Sequence, residues 1–144
     1  MNVQKIKNGI VIDHIRAGAG LKVFNWLKLD NAPFTVAMII NAPSTQMGKK
    51  DIIKIDNILD VDYSVLGFID PNITVSIIED EHVVRKISLN LPEKVENVIK
   101  CRNPRCITST EAINHVFHLV DKKRAEYACI YCDELYRAGI GEFL

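Results

Sequence analysis

CRNPRC, residues 101–106, and CIYC, residues 129–132, hold all four cysteines of the chain. The first pair encloses four residues and the second encloses two, with 22 residues between the pairs. Two short-spaced pairs let two loops wrap opposite sides of one tetrahedral ion, and zinc accepts four thiolates at about 2.3 Å. Four thiolates leave no open position for water, so Cys101, Cys106, Cys129 and Cys132 are read as ligands of a structural Zn²⁺, one per chain. CIYC does not sit in a thioredoxin-like pattern, and a redox reading would leave the other pair unexplained. His115 and His118 are alternative donors in principle, but a three-residue step along a strand turns them to opposite faces. Thiolates and Zn²⁺ together carry a net charge of about −2, which Lys100, Arg102 and Arg105 beside the first pair can offset.

Working outward, AINHVFHLV and AEYACIY flank the polar turn DKKR and predict a hairpin. Thr108 to Glu111 matches a capping box, so a helix there is the weaker alternative. Leu91-Pro92-Glu93 marks a boundary, because Pro92 cannot donate to a sheet and restrains its neighbour. The 52 residues after Pro92 are marginal for a core without a staple, and the metal supplies one.

Residues before the boundary alternate between strand and helix patterns. QKIKNGIVIDHI, 4–15, predicts two strands joined by an Asn8-Gly9 turn. GAGLKVFNWLKL, 18–29, predicts a helix, with Leu21, Phe24 and Leu27 in three-residue steps. FTVAMIIN, 34–41, reads as a central buried strand. APSTQMG is a turn-rich loop; DIIKID, 51–56, and ITVSII, 73–78, are β-branched strands. VDYSVLGFI between them reads as a short helix closed by Asp70-Pro71, and HVVRKISL, 82–89, is a last strand after the turn EDE. The order strand, helix, strand, strand, helix, strand is the ferredoxin-like pattern. The fold class is therefore α+β: a ferredoxin-like α/β sandwich over residues 1–91, then a small zinc-bound antiparallel β domain over 92–144.

Composition narrows the function. The chain has 144 residues, 48% apolar and 25% charged, with 18 basic against 18 acidic residues. Split after Leu91, the parts balance at ten against ten and eight against eight. A grip on a phosphate polymer needs a basic excess, so a zinc-ribbon nucleic-acid adaptor is the alternative that the charge disfavours. No run of 18 apolar residues is present, so no membrane span is expected. MNVQKIKNG lacks the apolar core of a secretory signal, and a cytoplasmic location is expected. Gly18-Ala19-Gly20 begins like a dinucleotide loop, but its third glycine would fall at Val23. Walker, GxSxG and HExxH motifs are missing, as is the HxE of zinc deaminases, so no catalytic residue is assigned. Asp13 and His14 interrupt an apolar strand, where bare burial would cost several kcal/mol. Lys50, Lys54 and Lys86 are point charges suited to phosphate, although edge lysines also serve solubility.

VIDHI near the start, MGKKDIIKIDN at 47–57, VVRKISLNLPE at 83–93 and the two cysteine pairs together resemble the regulatory chain of aspartate carbamoyltransferase. The resemblance covers residues from about Val3 to Tyr136. It implies a non-catalytic subunit of pyrimidine biosynthesis whose N-terminal domain binds ATP or CTP, with UTP also implicated. It further implies a zinc domain docked on the catalytic chain, and regulatory chains paired through their nucleotide domains. Asp13 and His14 match the Asp-His pair expected near ribose and phosphates. Lys54 and Lys86 match the ribose and phosphate contacts, and Lys50 a further lysine. Ile6 and Val83 fall where backbone and apolar contact hold the base. Ser76 stands where an asparagine is usual and Glu81 where a tyrosine is usual. The tail AGIGEFL has no clear counterpart.

Overall fold

The computed structural model describes residues 6–57 and 63–138. Two antiparallel sheets follow one another along the chain. The first contains β1 (Gly9–Arg16), β2 (Val36–Ser44), β3 (Gly48–Ile55), β4 (Thr74–Glu79) and β5 (His82–Ser88), with α1 (Gly20–Trp26) after β1 and α2 (Ser64–Ile69) before β4. Its strand order is β2-β3-β1-β4-β5. The first four strands and both helices form the ferredoxin-like arrangement, and β5 extends the sheet by a hairpin.

Strand alternation sorts the residues into two faces. Ile10 pairs with Ile55 and Ile77, and Ile12 pairs with Ile53 and Val75. Ile10, Ile12, Ile53, Ile55 and Val75 meet Ala19 and Val23 at α1 and Leu66 and Ile69 of α2 in one buried core. Val11 pairs with Lys54 and Ser76, and Ser76 with Lys86, so this row lies on the face without helices.

Two readings of the sequence are corrected here. Asn8-Gly9 makes no hairpin turn: Ile6 and Lys7 lie outside any strand and Gly9 opens β1. The residues before Ile6 in that expected hairpin lie outside the described residues. The apolar run FTVAMIIN is not central; β2 is an edge strand, with Ile40 56% exposed. Continuous hydrophobicity reports what packs on a strand's faces, not which strands flank its edges, and among the described residues β2 pairs only with β3. The expected helices are present but shorter, as α1 and α2.

The glycines of residues 18–20 serve Asp51. That carboxylate is buried, and Gly18, Gly20 and Asn41 each donate a backbone N–H to it at 3.0 Å. Three such bonds satisfy a buried charge that would otherwise be costly. A Cβ on Gly20 would stand 2.7 Å from an Asp51 Oδ atom, and Gly18 has a φ of +95°. Gly20→Ala is therefore expected to displace the carboxylate and lower stability by about 1–3 kcal/mol. Urea unfolding checks this; an unchanged midpoint would count against the assignment.

The second sheet contains β6 (Lys94–Glu96), β7 (Val116–Asp121), β8 (Glu126–Cys129) and β9 (Leu135–Arg137) in sequential order. The expected hairpin is the β7–β8 pair. The helical alternative fails, since the capping-box residues enter only a 3₁₀ turn at Ile107–Ser109. Val95, Val98, Ile99, Phe117, Tyr127 and Tyr136 form a second core, which also takes in Phe68 of α2. Among the described residues no helix is long and apolar enough to cross a membrane.

Candidate functional site

Cys101 and Cys106 lie on the loop between β6 and β7; Cys129 ends β8, and Cys132 lies in the turn to β9. Their four sulfurs all fall within 4.8 Å of one another. Cys101 Sγ and Cys132 Sγ are 3.6 Å apart, and Cys106 Sγ and Cys129 Sγ are 3.8 Å apart. A tetrahedral ion with metal–sulfur bonds of about 2.3 Å has ligand–ligand edges of about 3.8 Å. The four thiols therefore fit a closed metal centre. When bound, the ion supplies a covalent cross-link between loops and no reaction chemistry.

Two hydroxyls favour the charged form of the first cysteine pair, although burial still leaves the Cys101 thiol above its ordinary value. Tyr136 Oη donates to Cys101 Sγ at 3.4 Å, and Thr108 Oγ1 donates to Cys106 Sγ at 3.2 Å. Burial works against ionisation of Cys106, yet bonds from the Thr108 hydroxyl and backbone N–H bring the thiol down to about 7. Burial pushes the metal-free Cys129 thiol up to about 12, against opposing backbone N–H groups of Tyr131 and Cys132. A bound cation supplies the charge that holds all four as thiolates. The guanidinium of Arg102 lies over the Tyr136 ring at 4.6 Å and bonds Leu135 O at 2.8 Å.

The two histidines stay out of the sulfur cluster. His118 is exposed on β7, while His115 Nδ1 accepts the Cys101 backbone N–H at 3.1 Å. His115, Thr108 and Tyr136 support the sulfurs, a role that no spacing rule reveals. Thr108 carried only a capping signature, and Tyr136 carried none.

Of the expected nucleotide residues, Lys54 and Lys86 stand on the open face of the first sheet, with the others toward its two ends. Val11, Ser76, Lys54 and Lys86 form one cross-strand row. Ser76 is nearly buried, whereas Lys86 is exposed. Asp13 and His14 occupy a bulge at one end, where β1 and β3 lose register between Ile12 and Ile15. His14 has a φ of 59°, its N–H donates to Asp13 Oδ1 at 2.6 Å, and its Nδ1 lies 3.0 Å from Thr74 Oγ1. Lys50 Nζ pairs with Asp13 Oδ1 at 3.0 Å. A cleft of about 410 Å³ opens beside them, lined by His14, Gln46, Met47, Asn72 and Thr74. The last four are residues the sequence did not single out, being turn and strand-end positions of ordinary type.

Ile6 and Val83 lie at the opposite end. Val83 pairs with Ile78, whose other neighbour is Gly9, and Ile6 leads into that strand start. The β4–β5 turn closes this end with Asp80 and Glu81 at φ of 51° and 68°. Its left-handed backbone is held by bonds from Glu81 N–H to Lys7 O and from Asp80 N–H to Asn8 Oδ1. Glu81, one of the two unusual residues, thus sits beside Ile6 and Val83, while Ser76 stands between the two lysine-bearing strands.

Fold and site together define a two-module chain in which a sheet with one open, lysine-bearing face is joined to a small sheet built around a closed metal centre. Residues 1–90 match the family model described as "Aspartate carbamoyltransferase regulatory chain, allosteric domain", and residues 93–140 match its "metal binding domain". Curated aspartate carbamoyltransferase regulatory chains from Clostridium botulinum and Clostridium acetobutylicum are each 58% identical over 140 residues, covering 96% of both chains. The one from Bifidobacterium longum is 49% identical over 135 residues, covering 93% of this chain and 97% of its own. The chain belongs to the aspartate carbamoyltransferase regulatory chain family. It is a regulatory chain of an enzyme, with an allosteric domain and a metal-binding domain.

Proposed function

We propose that this chain is a non-catalytic cytoplasmic subunit that binds ATP or CTP, and by extension UTP, and controls a separate catalytic chain. Residues 1–91 form the nucleotide domain and residues 92–144 the zinc domain that docks on the catalytic chain. One observation carries the nucleotide reading. Lys54 and Lys86 make no ion pair among the described residues, and both stand on the open face around the near-buried hydroxyl of Ser76. Three strand spacings, about 14 Å, separate the two backbones, and long lysine side chains can lean over one ligand lying across β1 and β4.

Asp13, His14 and Lys50 hold the ribose and phosphate end beside the cleft. Ile6 and Val83 hold the base by backbone and apolar contact. An anion of this size suits a chain with balanced halves, since no phosphate polymer is gripped. Cys101, Cys106, Cys129 and Cys132 hold one structural Zn²⁺. Ile107, Ile130, Tyr131 and Leu135 are large and exposed around the metal, which suits a docking face stiffened by the ion. The outer edge of β2, which pairs with no strand among the described residues, and its exposed Ile40 offer a second copy of the chain a place to pair, giving a regulatory dimer.

Lys86→Ala is expected to weaken nucleotide binding about tenfold or more, since hydrogen bonds to charged groups are worth roughly 1.5–3 kcal/mol. Calorimetric titration with ATP and CTP tests this, and an unchanged affinity would reject the role. Co-expression with the matching catalytic chain, followed by mass measurement and aspartate saturation curves with each nucleotide, tests the whole reading. The purified chain alone is expected to show no carbamoyl transfer.

A further inference from the structure

The four sulfurs are not equivalent. Each cysteine of the first pair receives a bond from a side-chain hydroxyl that is itself buried. Tyr136 Oη reaches Cys101 Sγ at 3.4 Å, and Thr108 Oγ1 reaches Cys106 Sγ at 3.2 Å. Neither cysteine of the second pair receives a side-chain hydroxyl among the described residues; besides its sulfur neighbours, Cys129 meets the backbone N–H groups of Tyr131 and Cys132. Exposure then separates the second pair: Cys129 is buried with Cys101 and Cys106, while Cys132 is partly exposed and so is the one sulfur that lacks both a hydroxyl partner and full burial among the described residues.

Tyr136 is not placed by chance packing. Its ring meets the Phe117 ring edge-on, with centroids 4.9 Å apart, and lies beneath the Arg102 guanidinium. Its oxygen accepts the backbone N–H of Arg102. With that lone pair engaged, its proton is directed at sulfur. Arg102 is in turn anchored on Leu135 O and pairs with Glu134 at 3.4 Å. Glu134 and Leu135, just before Tyr136 in the chain, therefore hold the arginine that covers the tyrosine bonded to Cys101.

A hydrogen bond donated to a metal-bound thiolate draws charge from the sulfur. It orients the ligand and makes the sulfur less nucleophilic, and losing such a partner typically costs about 10–100-fold in metal affinity. We infer that the Tyr136 and Thr108 hydroxyls are positioning groups that lock the first cysteine pair on the ion, so that the centre opens, and is modified by electrophiles, from Cys132. This rests on the proposed four-thiolate centre. In alkylation by iodoacetamide, the Cys132 sulfur forms the new S–C bond and iodide leaves; the metal–sulfur bond it relinquishes is the first to go.

The experiment uses the full metal-loaded chain. Metal content of the unmodified protein is measured first, and stoichiometric zinc decides the underlying reading by itself. Zinc release to excess chelator is then followed with a metallochromic indicator, and iodoacetamide products are mapped by peptide mass. Cys132 is expected to be alkylated first. Tyr136→Phe keeps the ring and removes only the hydroxyl; it is expected to speed release at least about tenfold and to bring Cys101 into the early products. Thr108→Val should do the same for Cys106, with Thr108→Ser restoring the slow rate. In cobalt-substituted protein, the thiolate charge-transfer band should shift in both hydroxyl deletions, which a merely loosened fold with the same ligands would not produce. Release at the parental rate from both deletions, or first alkylation at Cys101 or Cys106 in the parent, would overturn the inference.

Discussion

Cys106→Ser is expected to yield a chain without stoichiometric metal that no longer joins its catalytic partner, while much of the first domain stays folded. Cys106 is 2% exposed, and its sulfur is 3.8 Å from that of Cys129. Serine is shorter at the donor atom and does not ionise at neutral pH, so a tetrahedral centre loses one of its four anchors. Structural zinc is worth roughly 10–16 kcal/mol in small peptides, more than a sheet of this size recovers from its own core. That core has few large members, chiefly Phe117, Tyr127, Tyr136 and Ile99, with Phe68 lent by α2. The loop from Asn97 to His115 has little regular structure beyond one 3₁₀ turn. It follows that the exposed face around Ile107, Ile130 and Tyr131 loses its shape when the ion goes. The first core contains none of these residues. Elemental analysis, circular dichroism and co-elution with the catalytic chain read the three parts separately, and chelation of the parental protein should mimic the variant. A normal assembled complex lacking metal would contradict the structural site.

The cysteine spacing was the most legible feature, because tetrahedral geometry restricts how two loops can share one ion. The core strands were legible for a similar reason: Ile10, Ile12, Ile53 and Ile55 alternate with polar or half-buried neighbours, and alternation is a local property. Edge position is not local. FTVAMIIN reads as buried because its residues are apolar, yet only the pairing of β2 with β3 alone places it at the rim. Asn8-Gly9 misled for the opposite reason. Gly9 is needed for close approach, since a Cβ there would stand 2.1 Å from Ile55 O, and not for a turn. The actual two-residue hairpin uses Asp80 and Glu81, residues that tolerate the left-handed region less readily. Their backbone is fixed by Lys7 and Asn8, more than seventy positions away, a tie that no window of sequence contains. The same holds for Gly18 and Gly20, whose partner is Asp51.

Phe68→Ala is expected to cost about 3–5 kcal/mol, the usual range for emptying a fully buried phenylalanine site, and to separate effector binding from effector response. In α2, Leu66 and Ile69 belong to the first core while Phe68 belongs to the second. The helix thus carries side chains into both sheets. The Phe68 ring meets Tyr127 edge-on, with centroids 4.8 Å apart, and Tyr127 Oη donates to Pro92 O in the connecting segment. Burial pushes the Tyr127 phenol up to about 12, so it remains a donor across the physiological range. Gly67 lies so close to the same segment that a Cβ would stand 2.4 Å from Asn90 O. Helix, linker and second sheet are therefore packed as one junction. A nucleotide bound on the open face lies across the first sheet from α2, and its affinity should change little when Phe68 is truncated. Control of a distant partner, however, requires that the two domains move as coupled bodies. With the ring gone, the junction has a cavity to absorb displacement. Calorimetry on the variant should give near-parental nucleotide affinity and full metal content. Its complex with the catalytic chain should show aspartate saturation curves that nucleotides barely shift. Phe68→Leu, which keeps most of the volume, should retain most of the response. Full nucleotide control in the alanine variant would show that coupling bypasses this contact.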